Sequence, residues 1–125
     1  MSLHKLARLT GFIFVIVGLL GFIPGITEEG LLLGIFHVNG VHNFFHILTG
    51  LIAFGASRKD QKITRYFFQI AGVVYMAAAL LGFSQGDEPL FGLMANNGAD
   101  NWFYLAMSIA FLYIGFLYQN HRYRK

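Results

Sequence analysis

Three histidines fall close together in this chain: His37, His42 and His46. His42 and His46 are four residues apart, so in a helix of about 3.6 residues per turn their imidazoles share a face, the spacing at which one helix offers two nitrogens to a metal ion. Asp100 is the carboxylate that the other half of the chain can bring to them, and His42, His46 and Asp100 make up the candidate metal set. Other chemistry is missing. There is no His-Glu-x-x-His helix, no Gly-x-Ser-x-Gly elbow, no glycine-rich phosphate loop and no pair of carboxylates inside the apolar runs. The chain has no cysteine, which removes thiolate ligands, a cysteine nucleophile and disulfides. The expectation is a protein that is not an enzyme.

The histidines belong to a stretch that occurs twice. Gly34-Ile35-Phe36-His37-Val38-Asn39-Gly40-Val41-His42-Asn43-Phe44-Phe45-His46 aligns with Gly92-Leu93-Met94-Ala95-Asn96-Asn97-Gly98-Ala99-Asp100-Asn101-Trp102-Phe103-Tyr104, with Asn39 on Asn97, Gly40 on Gly98 and Asn43 on Asn101. The second copy carries Tyr104 in place of His46 and has no imidazole, which weighs against a symmetric metal site. Asn39 and Asn97 stand where a helix N-cap is needed, Gly40 and Gly98 permit a tight entry, and Asp100 at the third helical position suits the positive helix end. Asn43 and Asn101, a turn deeper, are expected to hydrogen-bond between the halves or to hold the opposite loop's carbonyls, at about 0.6 to 2 kcal/mol each in a membrane. His42, Asn43, His46, Thr49, Gly50 and Ala53 form one polar or small stripe. Asp100, Asn101, Tyr104, Met107, Ser108 and Phe111 form the other, and both should turn inward and meet.

The elements that position these stripes are expected to be membrane spans. Of 125 residues, 56% are hydrophobic and 12% charged, too few charges to cover a soluble globule. The mean hydropathy is +0.58. Apolar runs at about 6–23, 40–56, 63–83 and 98–118 predict four spans, the second near the short limit for about 30 Å of hydrocarbon. The first resembles the charged start and apolar middle of a signal peptide, but it ends in Phe22-Ile23-Pro24-Gly25 with no small-x-small site, so it reads as a span stopped by Pro24. The loops after the first and third runs are acidic, at Glu28-Glu29 and Asp87-Glu88, and each is followed by a short apolar patch expected in the interface or at the bundle mouth.

Leu19-Leu20-Gly21-Phe22 and Leu80-Leu81-Gly82-Phe83 close the first and third runs alike. The chain is thus read as one membrane domain, 1–125, all-α, a four-helix bundle of two helical hairpins (about 6–57 and about 63–119) repeated in parallel orientation. Net charge is +3 with a pI of about 9.4. The basic residues lie in three places: Lys5 and Arg8; Arg58, Lys59, Lys62 and Arg65; and Arg122, Arg124 and Lys125. That is the distribution of membrane flanks and not of a nucleic-acid face. The positive-inside rule puts both termini and the Lys59 turn in the cytoplasm and the repeated motif outside, consistent with a bacterial inner or plasma membrane. His4 and His121 join the basic fringe. Ala7, Gly11, Gly18, Gly21, Ala78, Gly82, Ala106 and Ala110 have the spacing of close helix contacts.

The Leu33-Gly34 patch with Val38-Asn39-Gly40-Val41-His42-Asn43-Phe44-Phe45-His46, and its second copy, resemble a bacterial and archaeal family of small four-span membrane proteins known only as a domain of unknown function. The resemblance implies the four-helix fold and no activity. The functional expectation is a non-catalytic structural or accessory subunit packing against another membrane complex, or a homo-oligomer, in the bilayer. The alternative is a metal-, haem- or small-molecule-binding membrane protein using the His/Asn/Asp cluster, and an oligomeric transporter follows behind, since away from the helix ends the spans carry no charge, only the neutral Gln69.

Overall fold

Ser2, Asn39, Asp60 and Asn97 each stand just ahead of an apolar run, and each caps a helix. In the computed structural model, which describes residues 1–119, their side chains accept hydrogen bonds from the backbone N–H groups of Lys5, His42, Ile63 and Asp100. Such caps satisfy donors that a helix start leaves unpaired. The helices are α1 (Leu3–Leu20), α2 (Gly40–Ser57), α3 (Gln61–Gln85) and α4 (Gly98–Phe116). The chain is therefore mostly helical. The last basic group, Arg122, Arg124 and Lys125 with His121, lies outside the described residues.

Boundaries shift where capping overrides hydropathy. α1 lies three residues earlier than its apolar run because it starts at the Ser2 cap and stops at Gly21, with Phe22 and Ile23 already in turns. Pro24 disfavours helical backbone in the residue before it. α3 is longer than expected at both ends, from its Asp60 cap to Gly86, whose φ of +68° lies in the region glycine favours.

The connection after α1 is not wholly irregular. β1 (Thr27–Glu28), β2 (Leu31–Leu32) and β3 (Phe36–His37) form a small antiparallel sheet in that order, with Thr27 opposite Leu32 and Leu32 opposite Phe36. This corrects the all-α expectation: two-residue strands are too short to leave a period-two pattern. Leu33 and Gly34, at φ 55° and 74°, turn β2 into β3, with the Ile35 N–H donating to Leu32 O at 3.0 Å. Phe91 and Gly92 repeat this before α4, at φ 55° and 71°, with the Leu93 N–H donating to Leu90 O at 3.0 Å. Positive φ at both central residues is the mark of a type I′ turn. Both turns rest on a buried leucine, Leu32 and Leu90.

α1 packs along α2 and α3 along α4, while α2 touches α3 and α1 touches α3 far less. The first pair closes where glycine meets glycine: a Cβ on Gly50 would lie 2.7 Å from Gly11 O, and one on Gly11 would lie 2.8 Å from Gly50 O. Removing both side chains lets backbones approach, as small residues do at helix crossings. Ala7, Gly11, Gly18, Gly21 and Gly82 are buried as their spacing suggests, whereas Ala78 and Ala110 are half-buried and Ala106 is exposed. α4 ends under α3: Arg65 Nη1 donates to Ile114 O and Gly115 O at 3.2 and 3.3 Å, and Gln69 Nε2 to Gly115 O at 2.8 Å. These close carbonyls that a helix end leaves unpaired. Arg65 thus serves a helix end, beyond its place in the basic group.

Both polar stripes turn inward. His42, Asn43, His46, Thr49, Gly50 and Ala53 on α2, and Asp100, Asn101, Tyr104, Ser108 and Phe111 on α4, are buried, with Met107 half-buried. Phe14 joins the halves, its ring 5.6 Å from Tyr75 and 5.8 Å from Phe111. α1 and α3 are long and apolar enough to cross a membrane. The outward faces of all four helices carry large apolar side chains, among them Phe12, Phe44, Ile70 and Trp102.

Gly50→Ala is expected to lower stability by about 1 to 3 kcal/mol, since the added methyl meets backbone that cannot yield. Gly55→Ala, with nothing within 4 Å of its Cβ, should leave stability unchanged or slightly raised. Thermal unfolding in detergent measures both.

Candidate functional site

The loops at 21–39 and 86–97 meet over one end of the helices, and the cluster there is built by two asparagines that work at both ends of their side chains. Asn39 Oδ1 accepts from the His42 N–H at 2.9 Å, capping α2, while Asn39 Nδ2 donates to Leu93 O at 3.0 Å. Asn97 Oδ1 accepts from the Asp100 N–H at 3.0 Å, capping α4, while Asn97 Nδ2 donates to Ile35 O at 3.0 Å. Each cap thus holds the other loop's carbonyl. The two backbones agree closely, at φ −147° and −149° with ψ −176° in both.

Asp100 completes a capping box and then crosses over. Its Oδ2 accepts from the Asn97 N–H at 3.0 Å and from the His37 N–H, in the other loop, at 3.1 Å. Its Oδ1 lies 3.8 Å from His42 Nε2. His37 Nδ1 lies 3.4 Å from Asn96 O, and Asn96 Nδ2 donates to Gly86 O at 2.9 Å.

Below this lid a buried chain of side chains runs inward. His42 Nδ1 lies 2.8 Å from Ala95 O, and a carbonyl only accepts, so Nδ1 carries the proton. With both rings uncharged, His42 Nε2 is then an acceptor, and His46 Nε2, at 2.9 Å, donates to it. One carbonyl therefore assigns both tautomers. His46 Nδ1 faces Tyr75 Oη at 3.4 Å. Thr49 Oγ1 donates to Phe45 O at 2.9 Å, which leaves the Tyr75 hydroxyl to donate to Thr49 Oγ1 at 2.9 Å. Tyr104 Oη lies 3.4 Å from both nitrogens of His42.

The structure brings His42, His46 and Asp100 together, but engages them with one another. The two Nε2 atoms point at each other, where shared ligands would both point at an ion. Among the described residues, no group of three or more His, Cys, Asp or Glu side chains is arranged to hold a metal ion. Gly40 and Gly98 open their helices with nothing within 4 Å of either Cβ position and without left-handed backbone, so the tight entry expected of them is not seen.

Asn43 and Asn101 differ from expectation. Neither crosses between halves or holds the opposite loop; Asn39 and Asn97 do that. Instead Asn43 Oδ1 presses on Gly21 and Asn101 Oδ1 on Gly82, so near that a Cβ on either glycine would fall 1.9 Å from the oxygen. Both oxygens are buried without a hydrogen-bond partner. The geometry explains why Leu-Leu-Gly-Phe recurs: each glycine vacates room for an asparagine of the next helix.

A cavity of about 130 Å³ lies beside the cluster, lined by His42, Asn43, His46 and Asp100 on one side and by Leu20, Val38 and Phe103 among others on the other. The partners that sequence reasoning missed are mostly backbone carbonyls, of Ile35, Leu93 and Ala95, which leave no mark in residue types. Tyr75 left one: it is a hydroxyl-bearing side chain in the middle of an apolar run.

Asn39→Asp keeps the capping oxygen and deletes the donor to Leu93 O, so it separates the cross-loop bond from the cap. We expect it to cost less than Asn39→Ala, which loses both and should cost about 1 to 3 kcal/mol. Equal unfolding midpoints for wild type and Asn39→Asp would show that the cross-loop bond contributes nothing.

No curated protein and no solved structure matches the chain. The family described as Domain of unknown function (DUF4383) matches over residues 4–117, nearly the whole sequence, and the chain belongs to that family.

Proposed function

We propose that the chain is a four-span integral membrane protein, a duplicated helical hairpin, that acts as a non-catalytic accessory subunit packed against a larger membrane assembly. The observation that carries this reading is the pair of loop tips. Leu33 and Phe91 sit in left-handed backbone, a conformation that costs a non-glycine residue about 1 to 2 kcal/mol, and the strained turns hold large apolar side chains outward. Leu33, Ile35, Phe91 and Leu93 are all more than half exposed, with Phe91 at 82%. Apolar groups displayed from a strained turn suit contact with a partner. Of the polar groups beneath, His37, His42, His46 and Asp100 are engaged with one another or with loop backbone.

Three further features support the membrane and repeat readings. The buried polar stripes and apolar outer faces invert the pattern of a soluble bundle. The reciprocal asparagine bonds, matching turns and the Gly21–Asn43 and Gly82–Asn101 contacts suit a duplication. Lys5, Arg8, Arg58, Lys59 and Lys62 lie at the end away from Glu28, Glu29, Asp87, Glu88 and Asp100, which suits cytoplasmic termini in a bacterial inner or plasma membrane. A second reading, binding of a small hydrogen-bonding molecule in the 130 Å³ cavity, is favoured by the unpartnered Asn43 Oδ1 at its wall.

Purification from native membranes in mild detergent tests the proposal. The expected particle is larger than the chain or a small homo-oligomer, and Leu33→Asp with Phe91→Asp should release the chain while its circular dichroism is unchanged. A lone chain that carries a bound chromophore or metal would move the weight to the cavity. A tag in the 58–62 turn is expected to be accessible only from the cytoplasm.

A further inference from the structure

The two hairpins are closely packed within themselves and loosely packed against each other, so α2 and α3 diverge from their short turn. A groove of about 690 Å³ opens between them, within the range of roughly 300–1,000 Å³ usual for ligand sites. Its walls include Phe45, Ile52, Ile63, Ile70 and Val74, Tyr75 lies at its inner end, and Lys59 stands at its mouth. From Ile63 to Tyr75 along α3 is roughly 18 Å at about 1.5 Å per residue. One leaflet of a bilayer core is roughly 15 Å deep, half of about 30 Å. The groove therefore starts at one membrane surface and ends near the midplane.

The mouth is as informative as the depth. Lys59 lines the groove there, Arg58 and Lys62 belong to the same turn, and the only acid of that turn, Asp60, is engaged as the α3 cap through Oδ1. Among the described residues none of the three cations forms an ion pair; the one approach of a histidine to a carboxylate, uncharged His42 to Asp100 at 3.8 Å, is at the far end. Lys62 Nζ lies 5.9 Å from the centre of the Tyr66 ring, and Tyr66 is itself a wall of the groove. Basic residues at a membrane surface attract anionic headgroups at about 1 kcal/mol each.

We propose that this groove binds one anionic glycerophospholipid of the cytoplasmic leaflet, its phosphate among Arg58, Lys59 and Lys62 and one acyl chain along Ile63, Ile70 and Val74 toward Tyr75. The site rests on the membrane reading above but not on the accessory role. It also gives the loosely joined hairpins a filler that is exchangeable, where a side chain would be permanent.

Native mass spectrometry of the full chain, released from detergent after incubation with phosphatidylglycerol or with phosphatidylcholine of the same acyl chains, tests the site. The expected result is one retained phosphatidylglycerol, held at least fivefold better than phosphatidylcholine. Lys59→Gln with Lys62→Gln should lower that retention more than tenfold, about fivefold for each charge. Ile70→Trp, at a position 64% exposed and therefore tolerant of bulk, should lower retention of both lipids. Equal retention of the two headgroups, no loss in the lysine double variant, or a lipid-free dimer closing the groove would each overturn the proposal. Failure of the membrane reading looks different: the chain would be recovered from cells without detergent. A chain that needs detergent and binds no phosphatidylglycerol overturns the groove alone.

Discussion

Two loops that meet over the end of a bundle need groups that reach from one to the other, and this structure depends on how Asn39 and Asn97 do so. Each amide uses its oxygen locally, on the first turn of its own helix, and its nitrogen at long range, on the other loop. The local half fixes where α2 and α4 begin. The long-range half fixes how the two loops lie against each other. Because both jobs fall to one planar group, helix register and loop position are set together, and His37, His42 and Asp100 are carried into contact as a consequence.

The halves meet elsewhere mainly through aromatic rings. Phe14, Tyr75, Tyr104 and Phe111 pack edge to face at the centre, whereas glycine contacts hold α1 to α2 and α3 to α4. Backbone-to-backbone packing tolerates no added atom. Ring packing adapts more readily, because rings in contact can tilt. The divergence of α2 from α3 goes with this: small residues such as Gly55, Ala56 and Ala71 line the groove between them but make no glycine-to-backbone contact across it.

The buried histidines show how far spacing alone can mislead. An i, i+4 pair does share a helix face, and Asp100 does arrive from the other half. What the pair does there is decided by Ala95 O, which takes the proton of His42 Nδ1 and so turns Nε2 into the acceptor for His46. Ring nitrogens bonded to each other are not aimed at a common ion. The chain of partners runs on to Tyr75 and Thr49, beside the apolar walls of the groove.

Much of this was legible in the sequence by itself. Asn39 and Asn97 announce helix starts because a cap needs an acceptor oxygen at one position, and apolar runs and spacing give four helices and two inward stripes, whereas hydropathy alone set the starts of the first and third helices late, past their Ser2 and Asp60 caps. The recurring Asn-Gly-x-x-Asn segment likewise marks the loop ends that carry the cluster. What only the tertiary structure decided is which groups those side chains meet. Carbonyls of Ile35, Leu93 and Ala95 are present in every residue alike, and only the fold selects them. Asn43 and Asn101 lie against Gly21 and Gly82, where a Cβ on either glycine would collide with the amide oxygen, and hydrogen-bonding capacity read from sequence cannot see room of that kind. The small sheet at 27–37 formed for the same kind of reason: two-residue strands carry no pattern of their own, and it is the turn at Leu33-Gly34 and the buried Leu32 that bring them into register.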